Sequence, residues 1–229
     1  MKTQTLSLSR RTILLGSAAL TLTACGSLIG PSGPPPQIYL LAPTLGPVEA
    51  PTVSWQLTVG VPTCNSSLDR QRIAIYRGAV MDYYADAQWT DEAPNLIQSL
   101  LVEAFEKSGH ISAVARDSDG LHSDYLLQLE LRDFEARYDV PDGAPTVVVS
   151  LVARMLKAPG REVMGTLNVS HRAAASENKI PAAVEAFNQA TAATLEEIVA
   201  WALRVPGAAN EDRIGADTAA APVRRRPKH

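Results

Sequence analysis

The chain has 229 residues, of which 46% are hydrophobic, 20% charged and only 5% aromatic. That is enough apolar sequence for one cored domain with terminal extensions. A formal charge of −3 excludes the basic face of a general nucleic-acid binder, and two cysteines with four scattered histidines exclude a disulfide scaffold and a histidine metal cage.

Residues 1–24 read as a lipoprotein signal peptide. Lys2, Arg10 and Arg11 precede a short apolar run from Ile13 to Leu20, and no acid interrupts them. The run is too short for a bilayer, which takes ~20 apolar residues, but it suits an export signal. It ends in Leu22-Thr23-Ala24-Cys25-Gly26, which resembles a bacterial lipobox, so Cys25 is expected to carry the acyl chains. Such an anchor buries many methylene groups at about 0.8 kcal/mol each. The Arg10-Arg11 pair fits either a twin-arginine signal or a plain Sec signal. Cleavage removes three positive charges and leaves Cys64 as the other cysteine. A lone thiol of this kind is buried and inert, or open to an intermolecular disulfide.

Residues 25–36 form a tether rich in proline and glycine, whose prolines favour an extended path. The domain proper is expected over residues 37–206. Ile38–Leu41 and Trp55–Val59 read as strands. Ile73–Tyr76, a turn at Gly78 and Met81–Tyr84 read as a hairpin. From Asp91 to Lys107 the period becomes helical: Leu96, Ile97, Leu100, Leu101, Ala104 and Phe105 share one face. Thr90 or Asp91 can cap this helix, and Gly109 can stop it.

Tyr125, Leu127, Leu129 and Leu131 alternate with polar residues, and the phase then flips to Phe134, Ala136 and Tyr138. The flip predicts a bulge at Arg132-Asp133. Turns at Pro141-Asp142-Gly143 and Ala158-Pro159-Gly160 continue an antiparallel meander through Thr146–Leu156 and Glu162–Arg172. A last helix over Pro181–Arg204 stripes Val184, Phe187, Thr194, Leu195, Ile198 and Ala202. The fold class is α+β, a mostly antiparallel sheet with two main helices on one face in a two-layer sandwich. Val148 and Val152 make the second sheet face more apolar than solvent requires, which favours a homo-oligomer. Residues 207–229 are rich in alanine and end in a basic cluster, and they read as a disordered tail.

Catalytic chemistry is hard to find. His122-Ser123-Asp124 holds triad residue types, but neighbours in an extended chain point opposite ways. Asp82, Asp86, Asp91 and Glu92 cluster around Trp89, where a solvated loop with a capping role outweighs a metal or sugar site. No nucleophile elbow, phosphate-binding glycine loop or HExxH occurs. Binding is the better reading than catalysis. Arg70, Arg72, Tyr76, Arg77, Tyr83 and Trp89 combine arginine with aromatics, the composition of interface hot spots. The competing reading has the aromatics filling the core and the arginines paired with nearby aspartates.

Five segments in order carry a resemblance. They are Ile38-Tyr39-Leu40-Leu41-Ala42-Pro43, Leu68 to Arg77 (LDRQRIAIYR), Tyr83 to Asp91 (YYADAQWTD), Leu129 to Ala136 (LELRDFEA) and Glu197-Ile198-Val199-Ala200-Trp201. This series resembles the ABC-type transport auxiliary lipoproteins, the PqiC-like family, over nearly all of Gln37 to Leu203. The resemblance implies a non-enzymatic lipoprotein at the inner leaflet of the outer membrane, facing the periplasm. It also implies partners: an MCE-domain protein and an ABC permease and ATPase that move phospholipid or other hydrophobic molecules. A ring-forming homo-oligomer is implied as well. No cofactor is expected beyond the covalent lipid on Cys25, and no catalytic role transfers. The alternative, a stand-alone periplasmic lipid- or glycan-binding module, would show an enclosed apolar pocket instead.

Overall fold

The computed structural model describes residues 35–206. The expected signal peptide, the acyl site at Cys25, nearly all of the tether and the tail from Gly207 lie outside them.

Three long antiparallel strands form the spine: β7 (Tyr125–Tyr138), β8 (Thr146–Lys157) and β9 (Glu162–Ala174). The expected bulge is present. Pairing steps from Leu131 opposite Leu151 to Asp133 opposite Ser150, so Arg132 is the extra residue. It keeps Phe134, Ala136 and Tyr138 on the same buried face as Leu127, Leu129 and Leu131.

The other edge of β7 is filled by three short strands in series. These are β2 (Gln56–Val59), β3 (Thr63–Cys64) and β4 (Arg72–Arg77), all parallel to β7. Beyond them lie β6 (Ala113–Arg116) on β2, the antiparallel β5 (Val80–Trp89) on β4, and β1 (Gln37–Tyr39) on β5. The α+β class holds, and the longest ladders are antiparallel. The sheet is nevertheless mixed, because five short ladders are parallel. Parallel neighbours need a crossover, and the chain between β4 and β7 supplies one through α1 (Ala93–Ser108).

α1 and α2 (Ile180–Ala202) bury their expected stripes in one core with the inner face of the sheet. The boundary of α1 falls at Glu92 rather than at Thr90 or Asp91. Asp91 still serves the first turn, accepting hydrogen bonds from the Glu92 N–H at 2.7 Å and the Asn95 amide at 3.3 Å. Gly109 ends α1 at φ 67°, the left-handed conformation that glycine adopts at least cost. At the core's centre Trp89 lies 5.8 Å from Phe134 and 5.1 Å from Phe187, ring to ring.

β8 is buried on both faces, which corrects one expectation. Val148 and Val152 are 2% and 1% exposed within a single chain. Glu135 and Glu130 stand opposite them on β7, and Arg172 and Asn168 on β9. Long polar side chains of this kind can lay their stems over valines. The apolar character of these positions therefore gives no support to a second copy.

Candidate functional site

The β4–β5 hairpin gathers most of the arginines and aromatics singled out above. Arg72 sits one residue before Ile73, and strand alternation sends Arg72, Ala74 and Tyr76 away from the face that buries Ile73 and Ile75. Tyr83 stands opposite Ala74. The guanidinium of Arg72 lies 4.3 Å from the Tyr83 ring centre and that of Arg70 lies 5.6 Å away, so two cations share one aromatic ring. Arg70 is fixed by donating from Nε and Nη2 to the Ser66 carbonyl at 3.0 and 2.9 Å. The Tyr83 hydroxyl donates to the Ser67 carbonyl at 3.0 Å.

Tyr76 and Arg77 part company. The Arg137 guanidinium approaches the Tyr76 ring at 6.0 Å, and the parallel β4–β7 ladder sets these two residues side by side. Arg77 belongs to the opposite face, 5.0 Å from the Tyr138 ring. Trp89 leaves the set altogether: at 1% exposure between Phe134 and Phe187 it is a core residue and cannot meet a partner. For that aromatic the competing core reading was the right one.

For the arginines the competing reading fails among the described residues. No ion pair there involves Arg70, Arg72 or Arg77. Asp82 accepts its neighbour Tyr83's N–H, Asp91 serves α1, and Asp86 is exposed. The Tyr83 side of the hairpin thus offers two guanidinium charges with π contacts and no ion-paired carboxylate among the described residues, an arrangement that suits an acidic or phosphate-bearing surface.

Beside it lies a cluster that the sequence reading missed. Glu135 is 2% exposed. Its carboxylate accepts from Arg137 Nη2 at 2.6 Å, from Arg137 Nε at 2.9 Å and from the Phe134 N–H at 2.8 Å. Arg137 also reaches Asp133 at 2.8 Å. Burial pushes the Glu135 carboxyl above the usual range despite these donors, with Asp133 adding to the rise. Earlier in β7 the balance reverses. Hydrogen bonding from Arg132 holds the half-buried Glu130 carboxyl low, and Arg154 adds to this. The available signal was the alternation Asp133, Glu135, Arg137 after the bulge, which puts two acids and a base on one face.

Two further side chains have structural settings. Cys64 is half-buried in β3, and burial, then Asp69 and Glu92, push its thiol up, away from the reactive thiolate. Asp124 is used structurally, accepting the Gln56 N–H at 2.8 Å. Leu167 of β9, Ala200 and Trp201 of α2, and Val205 just after α2 line an apolar groove of about 460 Å³.

Comparison with known proteins gives these features a setting. The sequence profile of a family described as ABC-type transport auxiliary lipoprotein component matches residues 39–199. The uncharacterized protein bll6063 of Bradyrhizobium diazoefficiens is 32% identical over 157 residues, covering 69% of this chain and 41% of that protein. The chain therefore matches only about two-fifths of that relative's length. The crystal structure of protein XCC0632 from Xanthomonas campestris superposes with a TM-score of 0.72 at 29% identity, covering 76% of this chain and 99% of that one. A second crystal structure, of an uncharacterized protein, gives a TM-score of 0.57 at 16% identity over 72% of this chain and 97% of its own, a likeness of fold alone. The β4–β5 hairpin, the β7–β8–β9 meander and both helices all fall wholly or largely inside the matched span. The chain belongs to the family of ABC-type transport auxiliary lipoprotein components, transport-associated lipoproteins of the cell envelope.

Proposed function

We propose that this protein is a non-enzymatic docking component of an MCE/ABC-type system that moves phospholipid or other hydrophobic molecules across the periplasm. Acylated Cys25 holds it in the inner leaflet of the outer membrane, and an MCE-domain protein with the ABC permease and ATPase are its partners. The observation that carries this reading is the family match across residues 39–199. The docking surface is the hairpin patch of Arg70, Arg72, Tyr76 and Tyr83, with Arg77 on the other face of the sheet. What supports it is un-neutralised guanidinium charge over aromatic rings, the chemistry of interface anchors. Repeated around a homo-oligomeric ring, such patches would multiply one modest contact into avidity.

A stand-alone lipid-binding module is the second reading, with the apolar groove beside Trp201 as its site, but that groove is open where such a module calls for an enclosed pocket. Affinity purification of the mature lipoprotein from detergent-solubilised envelope separates the two. The docking reading predicts an MCE-domain protein in the eluate. Its absence, with phospholipid bound to an isolated monomer, would favour the module.

A further inference from the structure

β9 is the outermost strand on one side of the sheet and pairs only with β8. Its other edge carries a row of backbone N–H and C=O groups along thirteen residues, Glu162–Ala174, and among the described residues no backbone hydrogen bond reaches that row. The opposite margins of the sheet end on β6 and β1, which are four and three residues long. Sheet edges are ordinarily protected from further pairing by short length, charge or proline. β9 is long, and its run from Val163 to Ser170 holds neither a charged residue nor a proline. Its bulge, at Met164, lies near the start, and pairing with β8 is regular from Gly165 onward.

The side chains along this edge match a second β9 laid against it antiparallel. Strand alternation puts Leu167, Val169 and His171 on the side facing α2, and Thr166, Asn168 and Ser170 on the outer side, where all three are exposed. Asn168 is the midpoint of β9 and also of the regular stretch Gly165–His171. With a two-fold axis there, Thr166 stands opposite Ser170 of the second copy, Leu167 opposite Val169, and His171 opposite Gly165, which has no side chain to crowd it. Hydroxyl pairs are favourable cross-strand neighbours, and no like charges meet. α2 packs on both β8 and β9, about one strand spacing in from the edge. The two copies of α2 would then lie ~10 Å apart, the ordinary packing distance of helices. The groove of Leu167, Ala200, Trp201 and Val205 opens beside this edge, so the second copy covers it. A contact ~44 Å long and two layers, ~20 Å, deep covers about 900 Å² on each copy, enough for a stable dimer.

We infer that two copies of this chain join edge to edge through β9, antiparallel about a two-fold axis at Asn168, into one continuous sheet. The contact joins like surfaces, so it pairs two copies and does not close a ring by itself. β7 and β8 separate β9 from the β4–β5 hairpin, which stays free to dock as proposed above.

The full-length lipoprotein, purified in detergent, tests this. Its mass, with bound detergent subtracted, should be that of two copies. Asn168→Lys sets two ammonium groups face to face at the axis and should give the mass of one copy at the same concentration. In a Cys64→Ser background, a short bis-maleimide reads the register. Asn168→Cys should cross-link to itself. Thr166→Cys and Ser170→Cys, each about 14 Å along the strand from its own counterpart, should not. Those two should link to each other when the proteins are mixed. Circular dichroism checks that each variant is folded, and the Cys64→Ser protein alone gives the background. A wild type of one-copy mass, a dimeric N168K, no cross-link at position 168, or equal self-linking at all three positions overturns the inference. Each of these results leaves the docking role of the hairpin standing, which is read separately by recovery of the MCE-domain partner.

Discussion

Replacing Trp89 by alanine separates a core role from a partner-binding role at one position. The indole is 1% exposed and touches Phe134 and Phe187 in tilted and edge-to-face geometry. Truncating such a residue costs about 3–5 kcal/mol in transfer and cavity terms. Each lost aromatic pair contributes a further ~0.5–1.5 kcal/mol at most, partly counted in that range already. A value of about 4 kcal/mol is thus expected, a large part of the ~5–15 kcal/mol that a domain has in total. With a urea slope of about 2 kcal/mol per molar, the midpoint should fall by about 2 M. Urea titration of the mature protein, followed by far-ultraviolet circular dichroism, reads this without depending on the deleted fluorophore. A midpoint shift under ~0.5 M, equivalent to about 1 kcal/mol, would refute the placement of Trp89 in the core.

Other positions give sharper contrasts. Arg72→Ala and Tyr83→Ala should each leave stability within about 1 kcal/mol, because exposed cation–π contacts are worth only ~0.5–1 kcal/mol. Both should weaken co-purification of the MCE-domain partner several-fold, read by quantitative mass spectrometry. Gly109→Ala, at φ 67°, should cost about 1 kcal/mol in urea unfolding, since alanine resists the left-handed conformation that ends α1. Glu135 carries a carboxyl raised above its ordinary value of 4.5 by burial. The folded state therefore holds that proton more tightly than the unfolded state, and the stability this brings is present below the ordinary value and lost as pH rises through the raised one. Glu135→Gln removes that loss, so variant minus wild-type stability should climb with pH above 4.5. A difference that falls over the same window would contradict the assignment.

The sequence made the meander legible because its signals are local. The phase flip at Arg132-Asp133 marked the bulge, and 3.6-residue stripes marked both helices. What it hid was relational. β3 and β6 are two and four residues long, too short to show a period. Nothing local says that β4 lies parallel to β7, yet that pairing brings Tyr76 beside Arg137 and Arg77 beside Tyr138. Trp89 stayed open between core and interface for the same reason: its sequence neighbours are polar, and only the strand's end carries it under α2 against Phe187. Val148 and Val152 looked free because the glutamates and arginine across from them are close only through the ladder register.

A photo-crosslinking residue placed at Arg72 in growing cells tests the docking claim most directly, with one at the exposed Lys157 at the far end of β8 as the control. The account predicts an adduct between position 72 and the MCE-domain protein of the transporter and none from position 157. No adduct at position 72, or the same adduct from both positions, would contradict it.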